Sequence, residues 1–178
     1  MRLKGISGSI RTESYNTMLL KNIQDRYRHL VELEIIEIEH LPLFNQDEEL
    51  EPPKVVKEFK KEISECDGVI IATPEYNWSV PGVLKNSLDW LSRGDRPMIG
   101  KSTMIVGAST GMMGTIRAQI DLRKILSSPG LNAKVLPPAP NEFLVIKAPE
   151  KFDEQGKLID EKSLDLLDSV MDHFIEWQ

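Results

Sequence analysis

An aromatic, amide-containing loop follows a strongly apolar segment near the middle of the chain. Residues 68–73 are rich in β-branched side chains and predict a strand that is buried on both faces. In the loop at 74–82, Tyr76 and Trp78 offer flat apolar faces, Asn77 offers an amide, and two prolines restrain the backbone. Ligands of open α/β sheets bind where such loops leave the carboxyl ends of the strands. The loop is therefore predicted to bind a planar, hydrogen-bonding ring.

A second polar loop, residues 8–17, lies between the first predicted strand and the first predicted helix. It combines hydroxyls, an amide and a cation, at Ser9, Arg11, Thr12, Ser14, Asn16 and Thr17. Free N–H groups and the positive end of a helix dipole attract anions, and an arginine adds charge-assisted hydrogen bonds to phosphate. The alternative is a helix-capping loop with an exposed arginine. The spacing Gly-Ser-x-Arg-x-x-Ser-x-Asn after a strand favours the phosphate site.

A third, glycine-rich loop at 107–114 follows the next apolar segment and contains Ser109 and Gly111. Glycines allow a backbone to approach a ligand closely. A flexible turn is the competing interpretation, but the position beside the preceding strand favours ligand contact. Three roles are open for Glu75: a subunit contact, an acceptor that orients the ring, or a solvated carboxylate. No side chain in these loops is interpreted as a catalytic base or nucleophile, and none as a metal ligand.

Two glycine motifs are excluded as nucleotide sites. The loop at 8–17 lacks the Gly-x-Gly pair of a dinucleotide fingerprint. Residues 94–102 resemble a triphosphate-binding loop, but they have one residue too many between the glycines. They also precede a strand, whereas a phosphate-cradling loop follows a strand and opens a helix.

The bulk composition narrows the class of protein further. The chain has 178 residues, which we interpret as one domain over 1–178. A net charge of −6 argues against a nucleic-acid partner, and no apolar run is long enough to cross a membrane. The single cysteine, Cys66, excludes an internal disulfide and indicates a cytoplasmic protein.

Strand-like and helix-like segments alternate along the whole sequence. Strands are predicted at 3–7, 31–39, 68–73, 103–108 and 133–136, with an irregular extension of the last at 144–146. Helices are predicted at 15–27 (capped by Ser14), 55–63, 81–91, 115–126 and 163–177. This alternation predicts a parallel sheet with helices on both faces, and it brings the three loops to one edge of the sheet.

Two long motifs resemble the NADPH-dependent FMN reductase family, which includes quinone, azo-dye and chromate reductases. They are residues 8–16, GSIRTESYN, and residues 73–93, TPEYNWSVPGVLKNSLDWLSR. The resemblance covers nearly the whole chain. It implies a flavodoxin-like, three-layer α/β/α sandwich with a five-stranded parallel sheet of order 2-1-3-4-5. Thr115 departs from the family pattern, since many relatives have a second glycine there.

The resemblance also implies roles for individual residues. The FMN phosphate would be held by Ser9, Arg11, Ser14, Asn16 and Thr17. The isoalloxazine ring would be bordered by Pro74, Glu75, Tyr76 and Asn77, with Ser109 and Gly111 on its other side. Family members usually pair through the helices after strands three and four, as homodimers or homotetramers.

The activity implied is hydride transfer from NADPH or NADH through bound FMN to small-molecule electron acceptors. These are quinones, azo compounds, free flavin or metal oxyanions such as chromate, and the flavin carries the chemistry. One alternative is a flavodoxin-type electron carrier that does not oxidise NAD(P)H itself. Another is a protein that binds a nucleotide for regulation without turnover. Flavodoxins usually have a hydroxyl-rich phosphate loop, so Arg11 favours the reductase.

Overall fold

A parallel sheet forms the centre of the protein, and this computed structural model describes all 178 residues. Four strands make up most of the sheet: β1 (Arg2–Ser7), β2 (Glu32–Ile36), β3 (Gly68–Ala72) and β4 (Ser102–Ala108). Every residue of β3 and β4 is buried, as their continuous apolar sequence predicts.

The far edge of the sheet is split between two short strands. β5 (Lys134–Val135) pairs with the start of β4, and β6 (Phe143–Val145) pairs with its end. The strand order is β2-β1-β3-β4-β5, with β6 as a sixth strand beside β4. The predicted order is therefore confirmed. The segment near 144–146, predicted as an extension of the fifth strand, is a separate strand, β6, so the sheet has six strands and not five.

Helices cover both faces of the sheet, as predicted. They are α1 (Tyr15–Tyr27), α2 (Lys54–Glu65), α3 (Gly82–Leu91), α4 (Ile116–Leu126), the single turn α5 (Pro138–Asn141) and α6 (Glu161–Trp177). One apolar core joins α1 and α6 to the sheet, and a second core on the opposite face joins α2, α3 and α4. The side chains of β3 alternate between the two cores, since Ile70 lies in the first and Ile71 in the second.

Most predicted boundaries agree with the structure to within two residues, and β2 is the main exception. The predicted strand at 31–39 shortens to Glu32–Ile36, which is the stretch that pairs with β1. Beyond it, Ile38 is still buried, but it lies outside the ladder. No helix is both long and apolar enough to cross a lipid bilayer.

A polar cluster ties α1, whose N-terminus follows the first loop, to α6. Arg26 donates from Nε to Oδ1 of Asp168 at 2.7 Å and from Nη2 to Oδ2 at 2.5 Å. The Tyr27 hydroxyl donates to the same carboxylate at 2.6 Å. The hydrogen bond from Arg26 is the main reason, and that from Tyr27 a further one, that the pKa of Asp168 lies below its ordinary 3.8, against the opposing effect of burial.

We expect Asp168→Asn to lower the free energy of unfolding by about 1 kcal/mol at neutral pH, because both ion-pair partners are partly exposed. A lowered folded-state pKa stabilises the protein above the unfolded value, and this contribution is lost as the pH falls through the folded value. The difference between variant and wild type should therefore shrink below about pH 4. Urea unfolding at neutral and acidic pH measures it, and a difference that stays constant across this range would refute the linkage.

Candidate active site at the carboxyl edge of the sheet

Three loops meet where β1, β3 and β4 end. The first loop (8–14) follows β1, the second loop (73–81) follows β3, and the third loop (109–115) follows β4. β1 has β2 on one side and β3 on the other, so the chain reverses its winding direction between β1 and β3. Open α/β sheets bind their ligands at this kind of switch point.

Hydrogen bonds and close packing hold the first two loops together. The Gly8 N–H donates to the carbonyl of Ala72 at 2.8 Å. A Cβ on Gly8 would lie 3.1 Å from both Pro74 and Leu84, so a larger residue would push the loops apart. Thr73 in turn donates its N–H to the carbonyl of Val106, which joins the second loop to β4. The loops are thus fixed relative to one another by the sheet itself.

A cleft of about 160 Å³, called the main cleft below, opens between the three loops. Eight of the eleven predicted site residues line it: Ser9, Arg11, Ser14, Asn16, Pro74, Glu75, Tyr76 and Ser109. Tyr15, Ala108 and Thr110 line it as well. These three residues were not predicted as site residues, and only the position of Thr110 inside the glycine-rich loop could have indicated one of them. Their part in binding, like that of the eight, remains a prediction.

A shallower cleft of about 320 Å³ lies beside the first and shares three of its lining residues, Ser9, Arg11 and Tyr76. Its remaining walls come from the first loop and from the start of α3. Two larger grooves, of about 530 and 510 Å³, also adjoin the first loop, and both are lined by Thr17 and Lys21. Neither contains a residue of the second or third loop, so we place the site at the two smaller clefts. All three loops line the cleft of about 160 Å³, and the first and second loops line the cleft of about 320 Å³.

The first loop is organised by its own hydroxyl groups. Ser14 caps α1 as predicted, and its Oγ accepts a hydrogen bond from the Thr17 N–H at 3.4 Å. The Thr17 hydroxyl is 2.8 Å from that of Ser7, away from the main cleft. The Ser9 Oγ accepts from the Arg11 N–H at 3.3 Å. These bonds shape the loop and leave the Arg11 side chain largely exposed, with a single carboxylate, that of Glu13, at 3.8 Å.

Asn16 has a different environment from the one the sequence suggested. It is only 3% exposed, and its amide exchanges two hydrogen bonds with the main chain of Ala108, at 2.9 and 3.0 Å. The side chain therefore ties α1 to the end of β4. Its assignment to the phosphate stays a prediction, and its two bonds to Ala108 mean that it also positions the first loop against the third.

The second loop folds back on itself as a tight hairpin. Tyr76 and Ser79 exchange two main-chain hydrogen bonds of 3.1 Å. The two residues between them, Asn77 and Trp78, have φ values of 50° and 67°. Positive φ at both central positions is the pattern of a type I′ turn, whose twist matches that of paired strands. Asn77 thus lies at the hairpin tip and does not line the main cleft.

The Glu75 carboxylate faces α4. Its Oε2 accepts hydrogen bonds from the main-chain N–H groups of Arg117 and Ala118, at 2.9 and 3.1 Å. The sequence left three roles open for Glu75: a subunit contact, an acceptor that orients the ring, or a solvated carboxylate. The last of these is wrong, because the side chain is only 11% exposed. The carboxylate acts as a helix cap supplied from a distant loop.

Thr115, the departure from the family pattern, does not enter the cleft. It is fully buried at the start of α4, and its Oγ1 accepts a hydrogen bond from Gln119 at 3.2 Å. A Cβ on Gly107 would lie 1.9 Å from this oxygen. The threonine is accommodated because the strand residue facing it is a glycine. Gly111, which is exposed, also lies outside the lining of the cleft.

Comparison with known proteins agrees with this arrangement. The family described as NADPH-dependent FMN reductase matches residues 1–145. A subunit of the NADH:(hydroxy)cinnamate reductase of Vibrio ruber is 40% identical over 98% of this chain and 86% of its own. A quinone reductase of Escherichia coli is 38% identical over 96% and 91%. The flavoenzyme FerB, an NAD(P)H:(acceptor) oxidoreductase from Paracoccus denitrificans, superposes with a TM-score of 0.87 at 30% identity, covering 99% and 96% of the two chains.

The fold and the three converging loops define a flavodoxin-like flavoprotein. The chain belongs to the NADPH-dependent FMN reductase family. It is an oxidoreductase whose cofactor is FMN and whose co-substrate is NAD(P)H.

The residues of the first loop fit the phosphate of that cofactor. The main-chain N–H groups of Thr12, Glu13 and Tyr15 donate no hydrogen bond within the protein. They surround the N-terminus of α1, where such donors and the helix dipole favour an anion. The guanidinium of Arg11 lies on the same loop, and its one ion-pair partner, the exposed Glu13, is 3.8 Å away. This donor set matches a phosphate dianion in both charge and hydrogen-bonding capacity.

Proposed function

We propose that this protein oxidises NAD(P)H and passes the electrons to small acceptors, with quinones as the main class. The observation that carries the proposal is the convergence of a free anion site and a rigid aromatic hairpin on one cleft. When bound, FMN supplies the redox chemistry, taking a hydride from NAD(P)H and giving it to the acceptor. The quinone reductase named among the relatives supports the choice of acceptor.

The residues of the chain bind and orient the cofactor in this proposal. Ser9, Arg11 and Ser14, with the free N–H groups beside them, hold the phosphate. The Thr17 hydroxyl supports that loop by its hydrogen bond with the Ser7 hydroxyl at the end of β1. Arg11 contributes most of this binding because it alone brings a full positive charge.

The second and third loops border the ring system. Pro74 is buried and holds one wall of the cleft in place, while Tyr76 is half exposed beside it. Asn77 shapes the hairpin, and Ser109 and Gly111 border the opposite side. Main-chain donors in these loops would stabilise negative charge on the reduced ring. The half-exposed ring of Tyr76 offers a flat face for a planar substrate.

The titratable groups that line the cleft are Arg11, Tyr15, Glu75 and Tyr76. Glu75 is engaged by the α4 N-terminus, and Arg11 is assigned to the phosphate. The protein therefore contributes binding, orientation and electrostatics, and we assign it no side-chain nucleophile.

We expect FMN-loaded protein to oxidise NADPH slowly alone and rapidly when menadione is added. A flavodoxin-type carrier would bind FMN equally well but would not accelerate NADPH oxidation. Initial rates of NADPH consumption, with and without menadione, distinguish the two. A control without FMN shows whether the activity depends on the cofactor, and no NADPH consumption above that control, even with menadione present, would favour the carrier.

A second candidate function is that of an electron-supplying subunit in a larger reductase. It is favoured by the relative from Vibrio ruber, which is named as a subunit of an NADH:(hydroxy)cinnamate reductase. In that case the acceptor would be another protein. Robust turnover with free quinone by the isolated chain would favour the first candidate.

We also propose that the whole chain, 1–178, acts as one domain and assembles as a homodimer or homotetramer in the cytoplasm, where NAD(P)H is available. α6 supports the single domain, because its apolar side chains share a core with α1 and the sheet. Exposed apolar side chains near α4 support the assembly: Trp78, Met112, Met113 and Ile120. Sedimentation of the purified protein distinguishes these states from a monomer.

A further inference from the structure

The second loop and α4 are joined by a contact between residues far apart in sequence. Glu75 precedes Arg117 and Ala118 by 42 and 43 positions, and its carboxylate accepts both of their N–H groups. Thr115, the residue that would ordinarily cap α4, makes no side-chain cap bond. The first turn of α4 therefore takes its acceptor from the second loop.

The charge of Glu75 suits this position. The N-terminus of a helix presents unpaired N–H donors and a partial positive charge, so a carboxylate is a favourable partner. Arg117 adds a second cationic group, with Nη1 3.8 Å from Oε1 of Glu75. The carboxylate is mostly buried and paired on both sides, so its location is well defined.

Arg117 also contacts the tip of the hairpin. Its guanidinium carbon lies 4.5 Å from the centre of the Trp78 ring, which is within the range of a cation–π interaction. Trp78 has a φ of 67°, an unfavourable conformation for a residue with a large side chain. A backbone held in such a conformation requires support from its surroundings. Arg117 supplies part of that support, and it does so from the same helical turn that binds Glu75.

We propose that Glu75 is a positioning residue for the cofactor. Together, Glu75, Arg117 and Trp78 form a latch between the second loop and α4. The latch sets the position and orientation of Pro74 and Tyr76 at the cleft. These two residues in turn position the isoalloxazine ring. This inference rests on the proposed function, in which the second loop borders that ring. Glu75 then acts on the flavin through the loop it anchors.

The test compares Glu75→Ala and Glu75→Gln with a matched cap removal elsewhere. Gln keeps an oxygen that can accept the two N–H groups, whereas Ala removes it. Asp160 caps α6 by accepting the Ser163 N–H at 3.0 Å, and it does not line the cleft, so Asp160→Ala removes a helix cap of the same kind. Both alanine variants should lower the melting temperature. Only the Glu75 variant should affect the flavin.

We expect Glu75→Ala to weaken FMN binding about tenfold and Glu75→Gln to restore it to near wild type. The visible absorption band of bound FMN should also change shape in the alanine variant, because the ring environment shifts. Asp160→Ala should leave both properties unchanged. If Glu75→Ala does not fold, Glu75→Asp replaces it, since its shorter side chain keeps the charge but cannot reach both N–H groups in the same position.

A Glu75→Ala variant that melts lower but binds FMN with wild-type affinity and spectrum would reduce Glu75 to a structural cap and overturn the inference. Equal loss of FMN binding in Asp160→Ala would do the same, because it would trace the effect to general stability. Failure of the wild-type protein to bind FMN would instead overturn the proposed function.

Discussion

Replacing Arg11 with alanine is expected to weaken FMN binding by about 10- to 100-fold. A hydrogen bond to a charged group contributes about 1.5–3 kcal/mol, and each 1.4 kcal/mol is a factor of ten in affinity. Arg11 lines both clefts, is largely exposed, and has Glu13 at 3.8 Å as its one ion-pair partner. Its charge is therefore available to a phosphate. Quenching of flavin fluorescence during titration with protein measures the change.

Arg28→Ala is the matched control for this measurement. Arg28 is an exposed arginine at the opposite end of α1, where it forms the C-cap. Its removal changes the net charge equally but should leave FMN affinity within about twofold. Equal weakening by both substitutions would mean that general electrostatic attraction, and not a local phosphate contact, holds the cofactor. Unchanged FMN affinity in Arg11→Ala would mean that Arg11 is a surface residue that does not bind the phosphate.

The largest loss of stability is expected from Gly107→Ala. A Cβ on Gly107 would lie 1.9 Å from the Thr115 Oγ1 and 2.8 Å from the Thr73 carbonyl oxygen. Both neighbours are fully buried, and the carbonyl belongs to the backbone, so little can move aside. Overpacking of a tight core typically costs 1–3 kcal/mol, and we expect about 3 kcal/mol or more here. Urea unfolding followed by circular dichroism measures it.

Gly82→Ala provides the comparison. Nothing lies within 4 Å of a Cβ at this position, which is the first residue of α3. This substitution should be neutral or stabilise the protein by up to about 1 kcal/mol, because alanine favours a helix more than glycine does. If Gly107→Ala were as stable as Gly82→Ala, β4 could not lie as close to the start of α4 as the structure shows.

The sheet could be predicted from sequence because its central strands have no competing interpretation. The apolar runs of β3 and β4 are buried on both faces, and helical periodicity between the strands requires parallel crossovers. Both parts of the split edge, near 133–136 and 144–146, were also predicted as extended segments. Pro137, Pro138 and Pro140 interrupt the chain between β5 and β6, and proline cannot donate to a sheet ladder. Only the strand order needed the family resemblance.

The site was predictable as a set of loops but not as a set of contacts. Residue types and spacing identify Ser9, Arg11 and Tyr76 as members of loops at the carboxyl edge. Nothing local distinguishes them from Asn16 and Glu75, whose polar groups are bound to Ala108 and to the α4 N-terminus. Those partners are more than 40 positions away along the chain. Spacing within a loop contains no information about pairs at that separation.

The Thr115 substitution illustrates the same limit. Taken alone, a threonine in place of glycine predicts an obstructed approach to the cofactor. In the structure its side chain turns into the core against Gly107 and Gln119, so the cleft is unaffected. The consequence of the change depends on a glycine eight positions earlier on the neighbouring strand, which only the folded arrangement reveals.

The most direct measurement is an absorption spectrum of the purified protein after addition of FMN and removal of the excess, followed by anaerobic addition of NADPH. We expect one tightly held FMN per chain, with the yellow band of oxidised flavin, and loss of that band when NADPH is added. A protein that retains no flavin, or one whose bound flavin keeps its yellow band in the presence of NADPH, would contradict it.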